Sequence, residues 1–391
     1  MFSNRITGDL APNRLTEAIR RRRSLGLPIV DLTESNPTTA GFEYPRGLLA
    51  PLGHDRGLAY APQPLGLIDA RRAIAGEYAR RGLTVAPERV ALAASTSEAY
   101  SILFKLLASP GDDILVPRPS YPLFEQLTAL DGVVARPYDL DYQGRWSIDF
   151  VSVDLAVGPG TRAVLVVHPN NPTGSFASQD EIDRLAAMCA ARGMALIADE
   201  VFAEYELEPG SIRRAGSILT REDVLVFALG GMSKSIGLPQ AKLGWMTLGG
   251  PDPLVDEALR RLELVCDTYL SVSTPVQLAA SELFERGAVV RTQIAERIAV
   301  NYSRLKELAA SAPSSRVLRA EAGWYAVVQV PTLRSEEDLV VDLLTNAGVL
   351  THPGYFFDFT RESHLILSLL PREATFADGV TRVLALAAQT P

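Results

Sequence analysis

An α/β fold built on a mostly parallel mixed sheet flanked by helices, with a second and smaller α+β domain, is what this sequence predicts. Three observations carry the prediction. Short runs that are apolar throughout recur at 90–94, 114–116, 133–135, 163–167, 195–198, 224–229 and 243–246, interleaved with helical patterns. Strands buried on both faces of a parallel sheet have this character. Beyond residue 255 the pattern changes to long helices at 255–266, 276–286 and 288–310, and the chain of 391 residues is long enough for one large or two moderate domains.

Taken in order, residues 14–25 read as an amphipathic helix and 29–32 as a strand ending in Glu34-Ser35-Asn36-Pro37. Residues 67–81 place Leu67, Ala70, Ile74 and Tyr78 at helical spacing and stop at Gly82. After the strand at 90–94, Ser95-Thr96-Ser97-Glu98 is a capping-box pattern that opens a helix over 98–107. A second capping box, Ser178 to Glu181, starts the helix at 179–192, which Gly193 ends. The remaining signals are strands at 324–330 and 365–369 and a helix opening at Ser335. The domains drawn from this are an N-terminal arm and helix at 1–28, a large domain at 45–275, and a small domain formed by 29–44 with 276–391.

Composition narrows the function. A net charge of −8 argues against a nucleic-acid or anionic-membrane surface. No apolar run reaches membrane-spanning length, and nothing near the N-terminus resembles a signal peptide. Cys189 and Cys266 both fall in apolar helical patterns, which suits buried thiols in a reducing compartment, so a cytoplasmic protein is expected. His54, His168, His352 and His364 show no metal-ligand spacing.

Lysine is scarce: four of 38 basic residues, at 105, 234, 242 and 306. Lys105 and Lys306 sit in helical patterns where a solvated face explains them. Lys234 instead lies in the small-residue loop Gly230-Gly231-Met232-Ser233-Lys234-Ser235-Ile236-Gly237, directly after a strand. Arginine supplies charge but not a neutral amine; lysine alone can form a Schiff base with a carbonyl compound. Four further signals sit at strand ends, where ligands bind in an open α/β sheet. Ser95-Thr96-Ser97 offers helix N-terminal amides and hydroxyls to a phosphate. Pro117-Arg118-Pro119-Ser120-Tyr121-Pro122 aims Tyr121, whose ring can stack on a planar group. His168-Pro169-Asn170-Asn171-Pro172-Thr173-Gly174 is a dense turn that leaves one asparagine over a strand end. Asp199 closes an apolar strand, and a carboxylate there needs a partner, for which a protonated ring nitrogen is suitable. Each signal also has a plain structural reading, as a helix cap, a packed tyrosine or turn chemistry.

In this order the elements resemble the aminotransferases of classes I and II, the pyridoxal-phosphate family of fold type I, over essentially the whole chain. The most specific parts are Asn171-Pro172-Thr173-Gly174, Asp199-Glu200-Val201 and Ser233-Lys234-Ser235-Ile236-Gly237. The resemblance implies that Lys234 holds pyridoxal 5′-phosphate covalently and later moves the substrate proton. It also implies that Asp199 pairs with the pyridine nitrogen, Asn171 donates to the phenolic oxygen and Tyr121 stacks on the ring. Ser95, Thr96, Ser97 and Ser233 would cradle the phosphate, with Lys242 at the position of a phosphate-binding arginine. Tyr60 matches a tyrosine that reaches the partner subunit's phosphate, which implies a homodimer with active sites at the interface. Asn36 would lie in the segment that closes over amino-acid and oxo-acid substrates.

Two further positions depart from the family pattern. Phe202 stands where a tyrosine donates to the cofactor, so the lysine–cofactor linkage is expected to titrate at raised pH. Ile366 stands where an arginine clamps the substrate carboxylate; either Arg361 or Arg372 substitutes, or the amino donor is not an ordinary α-amino acid. The expected activity is ping-pong amino transfer to a 2-oxo acid. Alternatives on the same fold are a lyase, decarboxylase or cyclase, and from another class a non-catalytic ligand-binding module. A nicotinamide-binding enzyme ranks lower, because no glycine-rich fingerprint with a downstream acid follows the first strand.

Overall fold

A computed structural model describes residues 3, 5–6, 11–208, 214–361 and 363–389. The elements run α1 (Arg14–Ser24), β1 (Val30–Asp31), α2 (Ile68–Arg80), β2 (Val90–Ala93), α3 (Thr96–Leu107), β3 (Asp113–Arg118), α4 (Phe124–Leu130), β4 (Val134–Tyr142), β5 (Trp146–Ile148) and α5 (Phe150–Ala156). They continue with β6 (Thr161–Val167), α6 (Gln179–Arg192), β7 (Ala195–Asp199), β8 (Val226–Gly231), α7 (Met232–Ser235), β9 (Gly244–Gly249), α8 (Asp252–Tyr269) and α9 (Thr274–Ala310). The last are β10 (Arg316–Val317), β11 (Tyr325–Gln329), α10 (Glu336–Asp342), β12 (Val349–Leu350), β13 (His352–Pro353), β14 (His364–Ser368) and α11 (Glu373–Ala387).

The main sheet has eight strands in the order β2-β9-β8-β7-β6-β3-β4-β5. β8, β7, β6, β3 and β4 are parallel neighbours, while β9 runs against both β2 and β8, and β5 runs against β4. Every residue of β2, β7, β8 and β9 is buried, as the continuous apolar runs require of strands covered on both faces. A separate four-stranded antiparallel sheet has the order β10-β11-β14-β13, and β1 pairs in parallel with β12, which ties the N-terminal strand to the C-terminal part. Buried Cys189 and Cys266 are both free thiols. No helix among the described residues is long and apolar enough to cross a membrane.

The structure corrects three expectations. The helices at 276–286 and 288–310 are one 37-residue helix, α9, that runs through Gly287. A Cβ at Gly287 would lie 3.0 Å from the Ile236 side chain, so the glycine permits close packing on the loop that carries Lys234 and stops nothing. The strand at 133–135 extends to Tyr142 and turns into β5, because β4 is an exposed, charge-bearing strand with no apolar run to mark it. The helix after Ser95 begins at Thr96 and not at Glu98, with Ser95 as its cap. The helix α11 lay outside the expected elements, although Phe376, Val380, Val383 and Ala387 carry its buried stripe.

Candidate active site

The carboxyl ends of β6, β7 and β8 bring three segments to one edge of the sheet. After β6, Asn170 spends its whole side chain inside the turn. Its Oδ1 accepts the Ser120 hydroxyl at 2.7 Å, and its Nδ2 donates to the Pro119 carbonyl at 3.0 Å and to Thr173 Oγ1 at 2.8 Å. Asn171 is the residue left over, and its Oδ1 is buried without a hydrogen-bond partner. Gly174, at φ +69°, closes the turn; its carbonyl accepts from the amides of Glu321 and Ala322 at 2.9 Å each. A Cβ at Gly174 would lie 2.3 Å from the Ala322 carbonyl oxygen, so only glycine allows the turn to dock there. The docking delivers Trp324 to the site.

At the end of β7, Asp199 is 8% exposed. Its Oδ2 accepts the Tyr100 hydroxyl at 2.7 Å and its Oδ1 accepts the Val201 amide at 3.1 Å. Burial pushes its pKa up, while Tyr100, Val201 and the positive charge of Lys234 oppose that rise.

After β8, Gly230 and Gly231 lead into α7. A Cβ at Gly230 would lie 2.5 Å from the Trp245 ring, so the indole leaves room for no side chain there. Three carbonyls of the Lys234 loop, those of residues 234, 235 and 237, are held from three directions. Tyr205 donates its hydroxyl to the Lys234 carbonyl, the Arg291 Nε of α9 donates to that of Ser235 at 2.7 Å, and the Tyr44 hydroxyl donates to that of Gly237 at 2.7 Å. The Lys234 ammonium faces aromatic rings, with Nζ 4.6 Å from the Trp324 ring centroid and 5.4 Å from that of Phe202. Burial lowers its pKa to about 8, against the pull of Asp199. The neutral amine is the nucleophile, so reactivity grows as the proton is lost. Covalent uptake of pyridoxal phosphate by the apoprotein is therefore expected to accelerate roughly tenfold per pH unit up to the Lys234 pKa and to level off above it. Stopped-flow absorbance across pH 6 to 10 checks this, where pH 6 to 10 is roughly the span on either side of that pKa; a flat profile contradicts it.

At the start of α3, Ser95 caps the helix by accepting the Glu98 amide at 3.1 Å, which leaves the first-turn amides facing outward. β9 meets this helix end through Gly244, where a Cβ would lie 2.8 Å from the Ser95 carbonyl carbon and 3.1 Å from the Thr96 nitrogen. Lys242, two residues earlier, is exposed with φ 54°, and Ser233 is partly buried in the loop of Lys234. The Ser97 side chain lies near the phenol of Tyr121, which packs edge-on against Phe124 at 5.6 Å. Tyr325, near Ser35 and Tyr121, reaches the same place from the C-terminal sheet.

These residues fit pyridoxal phosphate: an amine that loses its proton readily, a buried carboxylate for a ring nitrogen, an unpartnered asparagine and an open helix N-terminus. Tyr60 is not among the groups around Lys234 of its own chain. It is 79% exposed and lines a surface cleft with Pro62, Tyr269 and Gln277. Phe202 brings no phenol and packs against Trp324. Ile366 is fully buried opposite Val327 and beside His352. The guanidinium of Arg372 lies against the Gly41 backbone, and Arg361 lines a cleft with Trp146, Gln329 and Phe359. The sequence reading passed over Tyr100, Tyr205, Arg291 and Trp324, because each reaches the site from another element and none carries a local pattern.

A family model described as aminotransferase class I and II matches residues 28–374. The chain is 25% identical over 375 residues to the glutamate-pyruvate aminotransferase AlaA of Haemophilus influenzae, across 94% of this chain and 92% of that one. It is 30% identical over 235 residues to the S-alkyl-thiohydroximate lyase SUR1 of Arabidopsis thaliana, a match that takes in 59% of this chain and 50% of that one. The solved structure of an alanine aminotransferase from Pyrococcus furiosus superimposes with a TM-score of 0.85 at 24% identity over 99% of both chains, a likeness of fold.

Proposed function

The chain belongs to the class I and II aminotransferases, and from that premise we propose that Lys234 is the residue that holds its cofactor and moves the substrate proton. The enzyme is a pyridoxal-phosphate-dependent aminotransferase that takes an amino group from a donor and passes it to a 2-oxo acid in a second half-reaction. When bound, pyridoxal phosphate supplies the aldehyde that exchanges nitrogen and the ring that draws electrons from the substrate carbon.

The chain's own residues supply the rest. Lys234, with its pKa lowered to about 8, serves as the general base once freed, since it gives and takes a proton near neutral pH. Asp199, buried and acceptor-only when ionised, keeps a proton on the ring nitrogen. Asn171 would donate from its amide nitrogen to the ring's oxygen, and Tyr121 would stack on the ring. Ser95, Thr96, Ser97 and Ser233 bind the phosphate, and Lys242 adds a point charge in place of a guanidinium fork. The observation that carries this reading is the low-pKa lysine set between aromatic rings at the strand edge that also holds Asp199.

The relatives' names favour a small amino acid such as alanine as donor. With Ile366 on β14, donor recognition does not rest on a guanidinium clamp at that position. Exposed Tyr60 and Leu58, 79% and 90% accessible, support a homodimer in which Tyr60 completes the partner's phosphate site. Two buried free thiols support a reducing, cytoplasmic setting. The test is a donor screen on holoenzyme without acceptor. Amino transfer releases one equivalent of oxo acid per site and then stops, whereas continuing release with ammonia favours the lyase reading.

A further inference from the structure

We propose that Tyr100 is a positioning residue for the cofactor, acting through Asp199. The inference rests on the reading of Asp199 given above and extends it to a residue in a different element.

Tyr100 lies on α3, one turn below the helix end assigned to the phosphate. Its side chain is 1% exposed, and its hydroxyl donates to Asp199 Oδ2 at 2.7 Å. The ring is fixed by Phe124, edge-on at 5.5 Å, and by Phe104, stacked at 6.2 Å. Phe124 in turn meets Tyr121 edge-on, and the Tyr121 phenol lies near the Ser97 side chain on α3. One helix therefore presents its N-terminal amides at one point, sets Ser97 near the Tyr121 phenol, and aims a hydroxyl at the acid of β7. The distance between the phosphate site and Asp199 is set by a single rigid element, where side chains on loops would leave it loose.

The electrostatics run the same way. Asp199 faces Tyr100, Tyr121, Lys234 and its neighbour Glu200. Burial and Glu200 favour its neutral form, while Tyr100, the Val201 amide and Lys234 favour the anion. Burial, and then the Asp199 charge, push the Tyr100 pKa well up, so the phenol keeps its proton and remains a donor throughout the working pH range. The hydroxyl thus holds the anionic carboxylate where a protonated ring nitrogen can meet it, and Tyr100 itself touches neither substrate nor the reacting atoms.

The test is Tyr100→Phe in the holoenzyme, a change that keeps the ring packing and removes only the hydroxyl. A less firmly ionised Asp199 lets the ring nitrogen lose its proton more easily, which raises the proton affinity of the lysine–cofactor linkage. The pH midpoint of the cofactor absorbance is expected to rise by about half a unit or more. The first half-reaction should slow roughly tenfold, with little change in the donor concentration at half-saturation. The same substitution in an Asp199→Ala background should then change neither quantity, since the partner is already gone. An unmoved midpoint in Tyr100→Phe, or an equal loss in both backgrounds, overturns the proposal. If Asp199→Ala alone leaves the midpoint unmoved, the reading of Asp199 itself fails, which separates the two.

Discussion

Replacing Lys234 with alanine is expected to lower turnover by about 10⁴-fold or more, because on the proposed reading one side chain supplies both the covalent anchor and the general base. No other described lysine is placed to take over: Lys105 is paired with Asp131, Lys306 with Glu208, and Lys242 is exposed. Lys234→Arg should be as inactive, since a guanidinium keeps its charge and its proton. The checks are turnover with a saturating donor and mass spectrometry after borohydride treatment, which should place the adduct on residue 234 in the wild type and nowhere in the variants. The fold should survive the alanine change, because the loop is held by its carbonyls, through Tyr205, Arg291 and Tyr44, and not by the ammonium.

Asp199→Ala is expected to cost about 10³-fold in the deprotonation step, since removing one preorganised charge at a site of developing charge has an effect of that order. A primary isotope effect with an α-deuterated donor should increase as this step becomes limiting. Apoprotein stability supplies a second readout with a definite sign. Burial raises the Asp199 pKa in the folded chain, so the folded state binds a proton that the unfolded state has already released. Stability therefore falls as pH rises from the ordinary carboxylate range through the raised value. Asp199→Ala should remove that slope; identical slopes in chemical denaturation of the two proteins contradict the assignment.

Much of the fold was legible in the sequence because its signals are local. The apolar runs that became β2, β6, β7, β8 and β9 announce strands buried on both faces, and the capping box at Ser178 and Glu181 marks the start of α6. Where burial is one-sided the signal fades, and β4 with its partner β5 was accordingly under-read. Gly287 misled for a related reason. A glycine inside a helical pattern reads as a stop, whereas its cause was Ile236, some fifty residues away in sequence.

The chemistry divides in the same way. Scarcity singled out Lys234, an apolar run ending in a carboxylate singled out Asp199, and the strand–turn placement of Asn170-Asn171 showed that one asparagine was available. Which asparagine it was depended on Ser120, Pro119 and Thr173 claiming Asn170. The lowered pKa of Lys234 depended on its burial, in a site that Trp324 enters through the approach of Gly174 to Ala322. The donor to Asp199 came from a helix ninety-nine residues earlier. The sequence alone settled which residues could do the work, because periodicity, capping and side-chain chemistry are properties of neighbours along the chain. Tertiary structure decided their proton affinities and partners, because both depend on burial and on contacts between distant segments.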